Sequence, residues 1–396
     1  MNPVRCAVHA SRKPGVAIPG PKSLFVLASG LIGALVVAGV STAVAAPAVA
    51  APAVAATSPL PAEPARLAAQ GLLIAIAAAG GRLVAVGDHG IIVFSDDRGA
   101  SWTQAAAVPT QALLTGVCFL DAQHGVAVGH DEVIVTSADA GRTWKRTHYA
   151  PQAQRPLLDV WCGTRGQAIA VGAYSTYLTS ADSGASWHEI PFAPAPPPRA
   201  PGAAVTHAAR EGKAHEAAAH ADTVDDGAAQ EGGSGGYHLN RIVAGGASRL
   251  YIAGEAGHLY RSDDDGATWL TLASPYEGSF FGVAPLAGEG LLAFGLRGHL
   301  YRSTDAGSTW SKIDTGTVAL LDGAAQLAAG GIAIVGFSGV VLVSRDGGQT
   351  FALQQQADRA GFSVAVTVGD EVIAAVGEDG AKLIVLGAPA ARGEAR

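Results

Sequence analysis

One repeated unit runs along most of the chain and limits its fold more than any other feature. The first half of the unit is an apolar strand that ends in glycine, and the second half reads Ser-x-Asp-x-Gly-x-Ser/Thr-Trp. The first-half glycines are 42, 43, 82, 41, 41 and 41 residues apart, and they are Gly87, Gly129, Gly172, Gly254, Gly295, Gly336 and Gly377. Short β-rich runs alternate with Gly and Asp turns inside each unit. Three or four short strands in such a period are typical of a propeller blade, so we predict an all-β, seven-bladed β-propeller.

The long interval between two of these glycines holds one repeat and an insertion. The insertion, 194–236, is rich in Ala, Pro, Gly and His and has no apolar periodicity, so we predict it to be disordered. The propeller is therefore placed at 67–388 and a C-terminal tail at 389–396. The last repeat lacks the second half of the unit. We expect residues between Leu60 and Gln70, at the end of an Ala/Pro-rich spacer (46–66), to supply its outer strand and close the ring.

The second half of the unit resembles the Asp box of sialidase-like and related propellers. Its Asp can accept backbone N–H groups across the turn, and its Gly can adopt a backbone conformation that other residues avoid. A motif present in six copies does not mark six active sites, so we interpret its carboxylates as structural: Asp97, Asp139, Asp182, Asp265, Asp305 and Asp346. The tryptophans that end the boxes are predicted to pack between blades: Trp102, Trp144, Trp187, Trp269 and Trp310.

The Asp boxes raise sialidase-like glycoside hydrolysis as an alternative function. However, the Arg-Ile-Pro signature of sialidases has no counterpart between Ala46 and Gly87. A carboxylate pair about 5–9 Å apart in the channel would favour a hydrolase. Another alternative is a small-molecule or pigment-binding propeller, which would need an apolar pocket. We expect no enzymatic activity, no catalytic residue and no cofactor.

The histidines of the insertion do not form a zinc motif. His215 and His220 are five residues apart, so on a helix they would diverge by about 140°, whereas a spacing of four places two histidines on one face. We interpret the insertion as a solvated His-rich loop and predict no strong metal site.

The first 45 residues have the pattern of an export signal. A basic stretch without acids precedes an apolar or small run from Leu24 to Val40, and Ala43-Val44-Ala45 fits a small-x-small cleavage site. We predict a signal peptide at 1–45 and a periplasmic or secreted protein. The alternative is an uncleaved segment that holds the protein to the membrane.

Cys118 and Cys162 occupy equivalent places in neighbouring repeats. The sequence leaves open a disulfide or two buried free thiols, and we favour the free thiols.

Charge and turn variation point to a partner other than nucleic acid. The net charge of −7 does not suit a surface that follows phosphates. The turn that follows each first-half glycine varies between repeats and is expected on the face opposite the Asp boxes, together with the insertion. We predict a partner-binding ring there, formed by Asp88, His89, His130, Tyr174, Glu255, Arg297, Phe337 and Glu378.

The combined Val-Gly-x-x-Gly and Ser-x-Asp-x-Gly-x-Thr-Trp pattern resembles the photosystem II assembly and stability factor family over about 72–386. The resemblance implies a non-enzymatic scaffold that binds membrane-protein subunits during assembly. Similar domains that occur beside membrane exporters extend the expected partners to exporter subunits. The family uses an arginine-rich patch, whereas the predicted ring of this chain contains only Arg297.

Overall fold

The structure is a computed structural model that describes residues 60–197 and 236–387. These residues form seven antiparallel sheets, six with four strands and one with three. The predicted all-β, seven-bladed propeller is thereby confirmed. In each blade the first strand lies at the axis and the chain proceeds outward strand by strand.

The strands of blades 1 to 4 follow one another in chain order. Blade 1 contains β1 (Leu73–Ala79), β2 (Arg82–Gly87), β3 (Ile92–Ser95) and β4 (Thr103–Gln104). Blade 2 contains β5 (Leu114–Phe119), β6 (Gly125–Gly129), β7 (Ile134–Ser137) and β8 (Lys145–His148). Blade 3 contains β9 (Leu157–Cys162), β10 (Ala168–Gly172), β11 (Tyr177–Ser180) and β12 (His188–Glu189). Blade 4 contains β13 (Leu239–Gly246), β14 (Arg249–Gly254), β15 (Leu259–Ser262) and β16 (Leu270–Thr271).

Blades 5 and 6 repeat this order, and blade 7 is shorter. Blade 5 contains β17 (Phe280–Pro285), β18 (Leu291–Gly295), β19 (Leu300–Ser303) and β20 (Ser311–Ile313). Blade 6 contains β21 (Leu321–Gln326), β22 (Ile332–Gly336), β23 (Val340–Ser344) and β24 (Ala352–Gln355). Blade 7 contains β25 (Phe362–Gly369), β26 (Val372–Gly377) and β27 (Gly380–Val385).

The second strand of each blade forms the centre of the core. Strands such as β6 and β22 are buried along their whole length, because neighbouring blades cover both of their faces. Their sequences are accordingly continuous apolar runs without alternation. In the described part of the chain the only helical segments are short 3-10 turns. None of its helices is long and apolar enough to cross a membrane.

The first-half glycine of the repeat is required by a close approach of two strands. A Cβ atom on Gly87 would lie 2.1 Å from the carbonyl oxygen of Leu72, and one on Gly336 would lie 2.1 Å from that of Leu320. At the same level every inner strand shifts its register, as between Leu73 and Ala75. Such a bulge re-aims the next side chains of the inner strand toward the axis.

Each Asp box is a closed network of hydrogen bonds in the turn before the outer strand. In blade 1 the Asp97 carboxylate accepts the Ser95 hydroxyl at 2.7 Å, the Ser101 amide at 2.8 Å and the Ser101 hydroxyl at 2.6 Å. These hydrogen bonds lower the pKa of Asp97 to about 2. The Trp102 indole donates to the Gly99 carbonyl at 3.2 Å. Both carboxylate oxygens of Asp97 therefore accept hydrogen bonds within their own turn, which supports a structural role.

In blade 4 the prediction named the wrong aspartate. Asp264, not Asp265, accepts the Ser262 hydroxyl at 2.7 Å and the Thr268 amide at 2.8 Å. Asp265 follows it at a φ of 55°. Three consecutive aspartates, 263–265, made the box position ambiguous, and the spacing of two residues from the serine identifies Asp264.

The ring closes by side-chain packing instead of by a shared strand. Blade 7 has three strands, and residues 60–70 add none to it. These residues contain a 3-10 turn, Ala68–Gln70, that lies close to Gly380 of blade 7, and the segment before it lies along blade 1, where Ala62 donates to the Val108 carbonyl at 2.9 Å. Leu73 and Ile76 of blade 1 share a buried cluster with Ala374 and Val376 of blade 7. The expected closing strand at 60–70 was therefore wrong.

Two blades are joined by a disulfide. The Sγ atoms of Cys118 in blade 2 and Cys162 in blade 3 are 2.01 Å apart, and the Cα atoms are 5.7 Å apart. Both residues lie near the ends of inner strands, at the same level of adjacent blades. The structure corrects our preference for two free thiols.

Candidate functional site

The turns between the second and third strands lie at one face of the propeller, which we call the ring face. The Asp boxes join the third and fourth strands and therefore lie at the opposite face, the Asp-box face. The ring face also carries the connections between blades, including both ends of the insertion. The predicted ring residues thus share one face, spread around it one turn per blade, and do not form a single cluster.

Six ring turns hold a non-glycine residue in the left-handed region. Their φ angles lie between 49° and 59°, and the residues are His89, Asp131, Tyr174, Ala256, Arg297 and Ser338. For an L-residue this conformation costs roughly 1 kcal/mol, which glycine would avoid. Asp-box turns hold non-glycine residues in the same region, for example Arg98 at 60° and Ala140 at 58°, so this conformation is a feature of the repeat and does not distinguish the two faces.

The next residue of the turn is glycine in blades 1, 4, 5 and 6. In blade 1 this residue is Gly90, and a Cβ atom on it would lie 2.0 Å from the Thr110 carbonyl oxygen. Blades 2 and 3 have Glu132 and Ser175 instead, both with positive φ. The connections that face these two turns are therefore built differently from the others.

Glu132 anchors an ion-pair network between blades 2 and 3. Its side chain is buried, and its carboxylate accepts Arg155 Nε at 2.7 Å and lies 3.3 Å from His148 Nε2. The other guanidinium nitrogens of Arg155 donate to the Glu189 carboxylate at 2.7 and 3.1 Å. This contact lowers the pKa of Glu189 and raises that of Arg155. The network fixes the chain next to the start of the insertion.

Tyrosine–histidine contacts cover the ring face over blades 3 to 5. The ring centroids are 5.2 Å apart for Tyr174 and His238, 3.9 Å for Tyr237 and His258, and 4.2 Å for Tyr276 and His299. We call these six residues the aromatic sector. Tyr174 and Tyr237 remain about half exposed, at 53% and 47%. The sector also borders the insertion, because the Tyr237 carbonyl accepts the Ser175 amide at 2.9 Å.

Charges near the aromatic sector differ from those of the rest of the ring. Burial together with the nearby Lys312 and Arg297 lowers the pKa of His299. By contrast, the ring turn of blade 7 carries Glu378, whose carboxylate accepts the Gly361 amide at 2.8 Å, next to Asp379.

The predicted ring residues are exposed or half-buried: Asp88, His89, His130, Tyr174, Glu255, Arg297, Phe337 and Glu378.

Sequence reasoning found the ring face but missed its aromatic sector. Of the six sector residues, only Tyr174 lies at a predicted ring position; the others lie in blade connections or just after the turn. The recurrence of Tyr or His on both sides of the ring turn was the available signal. No cluster of three or more metal-ligating side chains occurs within 60–197 and 236–387.

Comparisons with known proteins agree with this geometry. A family model described as photosynthesis system II assembly factor YCF48 matches residues 100–229. No curated protein sequence matches the chain significantly. A solved structure titled "YCF48 bound to D1 peptide" has 15% sequence identity and a TM-score of 0.58, and the match covers 83% of this chain and 100% of that one.

Two other solved propellers show how general the fold is. YCF48 from Cyanidioschyzon merolae has 15% identity and a TM-score of 0.59, with 80% of this chain and 96% of that chain covered. The WD40 propeller domain of Doa1 has 12% identity and a TM-score of 0.55, with 79% and 92% covered. The likeness in structure therefore establishes the fold, and the family model adds the sequence resemblance. The chain is a seven-bladed β-propeller that is similar to the family model of the photosystem II assembly factor YCF48 over residues 100–229 and to solved YCF48 structures in fold.

Proposed function

We propose that this protein is a non-enzymatic scaffold that binds a segment of a membrane protein during assembly, through the aromatic sector of its ring face. The observation that carries the proposal is the pair of half-exposed tyrosines, Tyr174 and Tyr237, on the face that carries the blade connections. Tyrosine offers a large, stiff contact surface that loses little entropy on binding. A YCF48 structure with a bound D1 peptide shows that a similar propeller accepts a peptide of a membrane-protein subunit. Exporter subunits are the other class of partner.

A pull-down from detergent-solubilised membranes tests this proposal. We expect the wild type to recover a specific membrane complex, and a Tyr174→Ala/Tyr237→Ala variant to lose it. Charge reversal by Glu255→Lys/Arg297→Glu should also weaken recovery. Leu353→Ala is the matched control, because Leu353 is 43% exposed but lies on the outer strand β24, away from the ring turns. Equal recovery by all variants would contradict a role for the aromatic sector.

The proposed site of action is outside the cytoplasm. The disulfide between blades 2 and 3 supports this, because disulfides persist in oxidising compartments. The predicted signal at 1–45 lies outside the described residues. Cell fractionation together with N-terminal sequencing of the purified protein tests export and separates cleavage after Ala45 from a retained anchor. Recovery of the full-length chain in the cytoplasm would contradict export.

The alternative of glycoside hydrolysis has one structural observation in its favour, since two carboxylates, Asp159 and Asp322, line the axial channel. However, Arg241 donates to Asp322 at 3.2 Å, so this carboxylate already has a cationic partner. We propose that fluorogenic glycosides are not turned over. Turnover that is lost in Asp159→Asn would instead establish the hydrolase.

A further inference from the structure

The axial channel contains charge that the fold does not require. A cavity of about 610 Å³ is bordered by all seven inner strands. The residues at the equivalent position after the bulge of each inner strand are Ala75, Gly116, Asp159, Arg241, Gly282, Gly323 and Val364, and all of them except Gly116 line the cavity. Five blades use a small or apolar residue there. The same backbone therefore forms without a charged side chain at this position.

Three charged side chains line the cavity: Asp159, Arg241 and Asp322. Arg241 donates to Asp322 Oδ1 at 3.2 Å, and the Ile242 amide donates to Asp159 Oδ2 at 2.9 Å. Asp159 is only 7% exposed. One guanidinium thus faces two carboxylates, which leaves one unit of negative charge when both are ionised.

These groups are incompletely partnered. Within the described residues, the Nε atom of Arg241 is buried and has no hydrogen-bond partner. Asp159 takes part in no ion pair within 4 Å in the same part of the chain, where Arg241 is paired with Asp322. Burial raises the pKa of both carboxyl groups, and the attraction of Arg241 only partly opposes it. An ion-pair group of this kind stabilises a fold no better than apolar residues of similar size, so its retention calls for another explanation.

We propose that the axial cavity binds a small organic cation of amino-acid size with a net charge of +1, one ammonium of which donates to Asp159 while its carboxylate accepts from the Arg241 guanidinium. A bare metal ion fits less well, because it would face the positive charge of the guanidinium. The cavity has room for a ligand of this size. The lining reaches Gly245, Pro285 and Gln326, at the ends of inner strands, so the cavity opens to the Asp-box face. This site is separate from the proposed ring-face interface.

Isothermal titration of the full chain with L-lysine tests the proposal. L-norleucine has the same α-amino acid group but lacks the second ammonium and its net positive charge, and cadaverine has two ammonium groups but no carboxylate. We expect L-lysine to bind at least about tenfold more tightly than either, since a hydrogen bond to a charged group contributes about 1.5–3 kcal/mol. Equal affinity for L-lysine and L-norleucine would overturn the requirement for a net positive charge, and equal affinity for cadaverine would overturn the role of Arg241.

Asp159→Asn should weaken L-lysine binding by at least about tenfold. Asp370→Asn is the matched control, since Asp370 is exposed in the turn between β25 and β26 on the Asp-box face. If Asp159→Asn does not fold, the pH dependence of the wild type decides. Protonation of Asp159 and Asp322 removes the attraction, so affinity should fall as the pH is lowered from 8 to 5, while Arg241 stays charged. An affinity that does not change with pH would refute the site, and so would a loss of affinity in Asp370→Asn equal to the loss in Asp159→Asn.

Discussion

Reduction of the disulfide between blades 2 and 3 should destabilise the propeller by a measurable amount. The bond joins Cys118 and Cys162, which are 44 residues apart in sequence. In the chain-entropy treatment, a loop of this length restricts the unfolded chain by about 4 kcal/mol at 25 °C. For a large domain this corresponds to a fall in Tm of several degrees.

Guanidinium denaturation with and without a phosphine reductant measures this loss. The double variant Cys118→Ala/Cys162→Ala should start at the lower stability and show no response to the reductant, which controls for direct effects of the reagent. Free thiols should be absent from the oxidised wild type at these two positions. An unchanged denaturation midpoint after complete reduction would refute the argument that this bond constrains the unfolded chain.

Three further predictions concern stability. Trp144→Ala should lower the free energy of unfolding by about 3–5 kcal/mol, because Trp144 is 6% exposed and packs with Val84 of the preceding blade. Trp310→Ala should lower it less, because Trp310 lies at a more exposed box. Equal denaturation midpoints for the two variants would contradict packing between blades. Burial raises the pKa of Asp322 to about 6, above its value in the unfolded chain. Protonation of Asp322 therefore favours the folded state, and the free energy of unfolding should rise by at most about 3 kcal/mol as pH falls from 7 to 4. Asp322→Asn should remove this rise, and an unaltered dependence of the free energy of unfolding on pH would contradict the assignment. Deletion of 198–235 should leave the Tm unchanged, whereas deletion of 194–236 should lower it. The longer deletion removes Ala195, whose amide donates to the Trp269 carbonyl and whose carbonyl accepts the Thr271 amide of blade 4. Equal Tm values for the two deletions would contradict this difference.

The seven blades could be predicted because the repeat encodes its own turns. The first-half glycine is required where two strands approach closely, and the Asp box satisfies its own hydrogen bonds within seven or so residues. Both signals are local, and therefore they survive in a single sequence. The ring turns could be assigned to one face for the same reason, because each follows the second strand of its own repeat.

The errors arose where the answer depends on contacts between distant segments. Closure of the ring depends on how blade 1 packs against blade 7, which no repeat encodes. The state of Cys118 and Cys162 depends on the separation of two inner strands. The aromatic sector combines ring turns with blade connections, and the axial charges combine residues of three blades, so neither has a sequence motif of its own.

The central claim is that the ring face over blades 3 to 5 holds a segment of a membrane protein. Site-specific photo-crosslinking in living cells tests it most directly, with the crosslinker at position 174 or 237 and, as a control, at position 353. The account predicts a crosslink to a defined membrane-protein subunit from 174 and 237 and none from 353. Crosslinks of equal yield from all three positions, or none from 174 and 237, would contradict it.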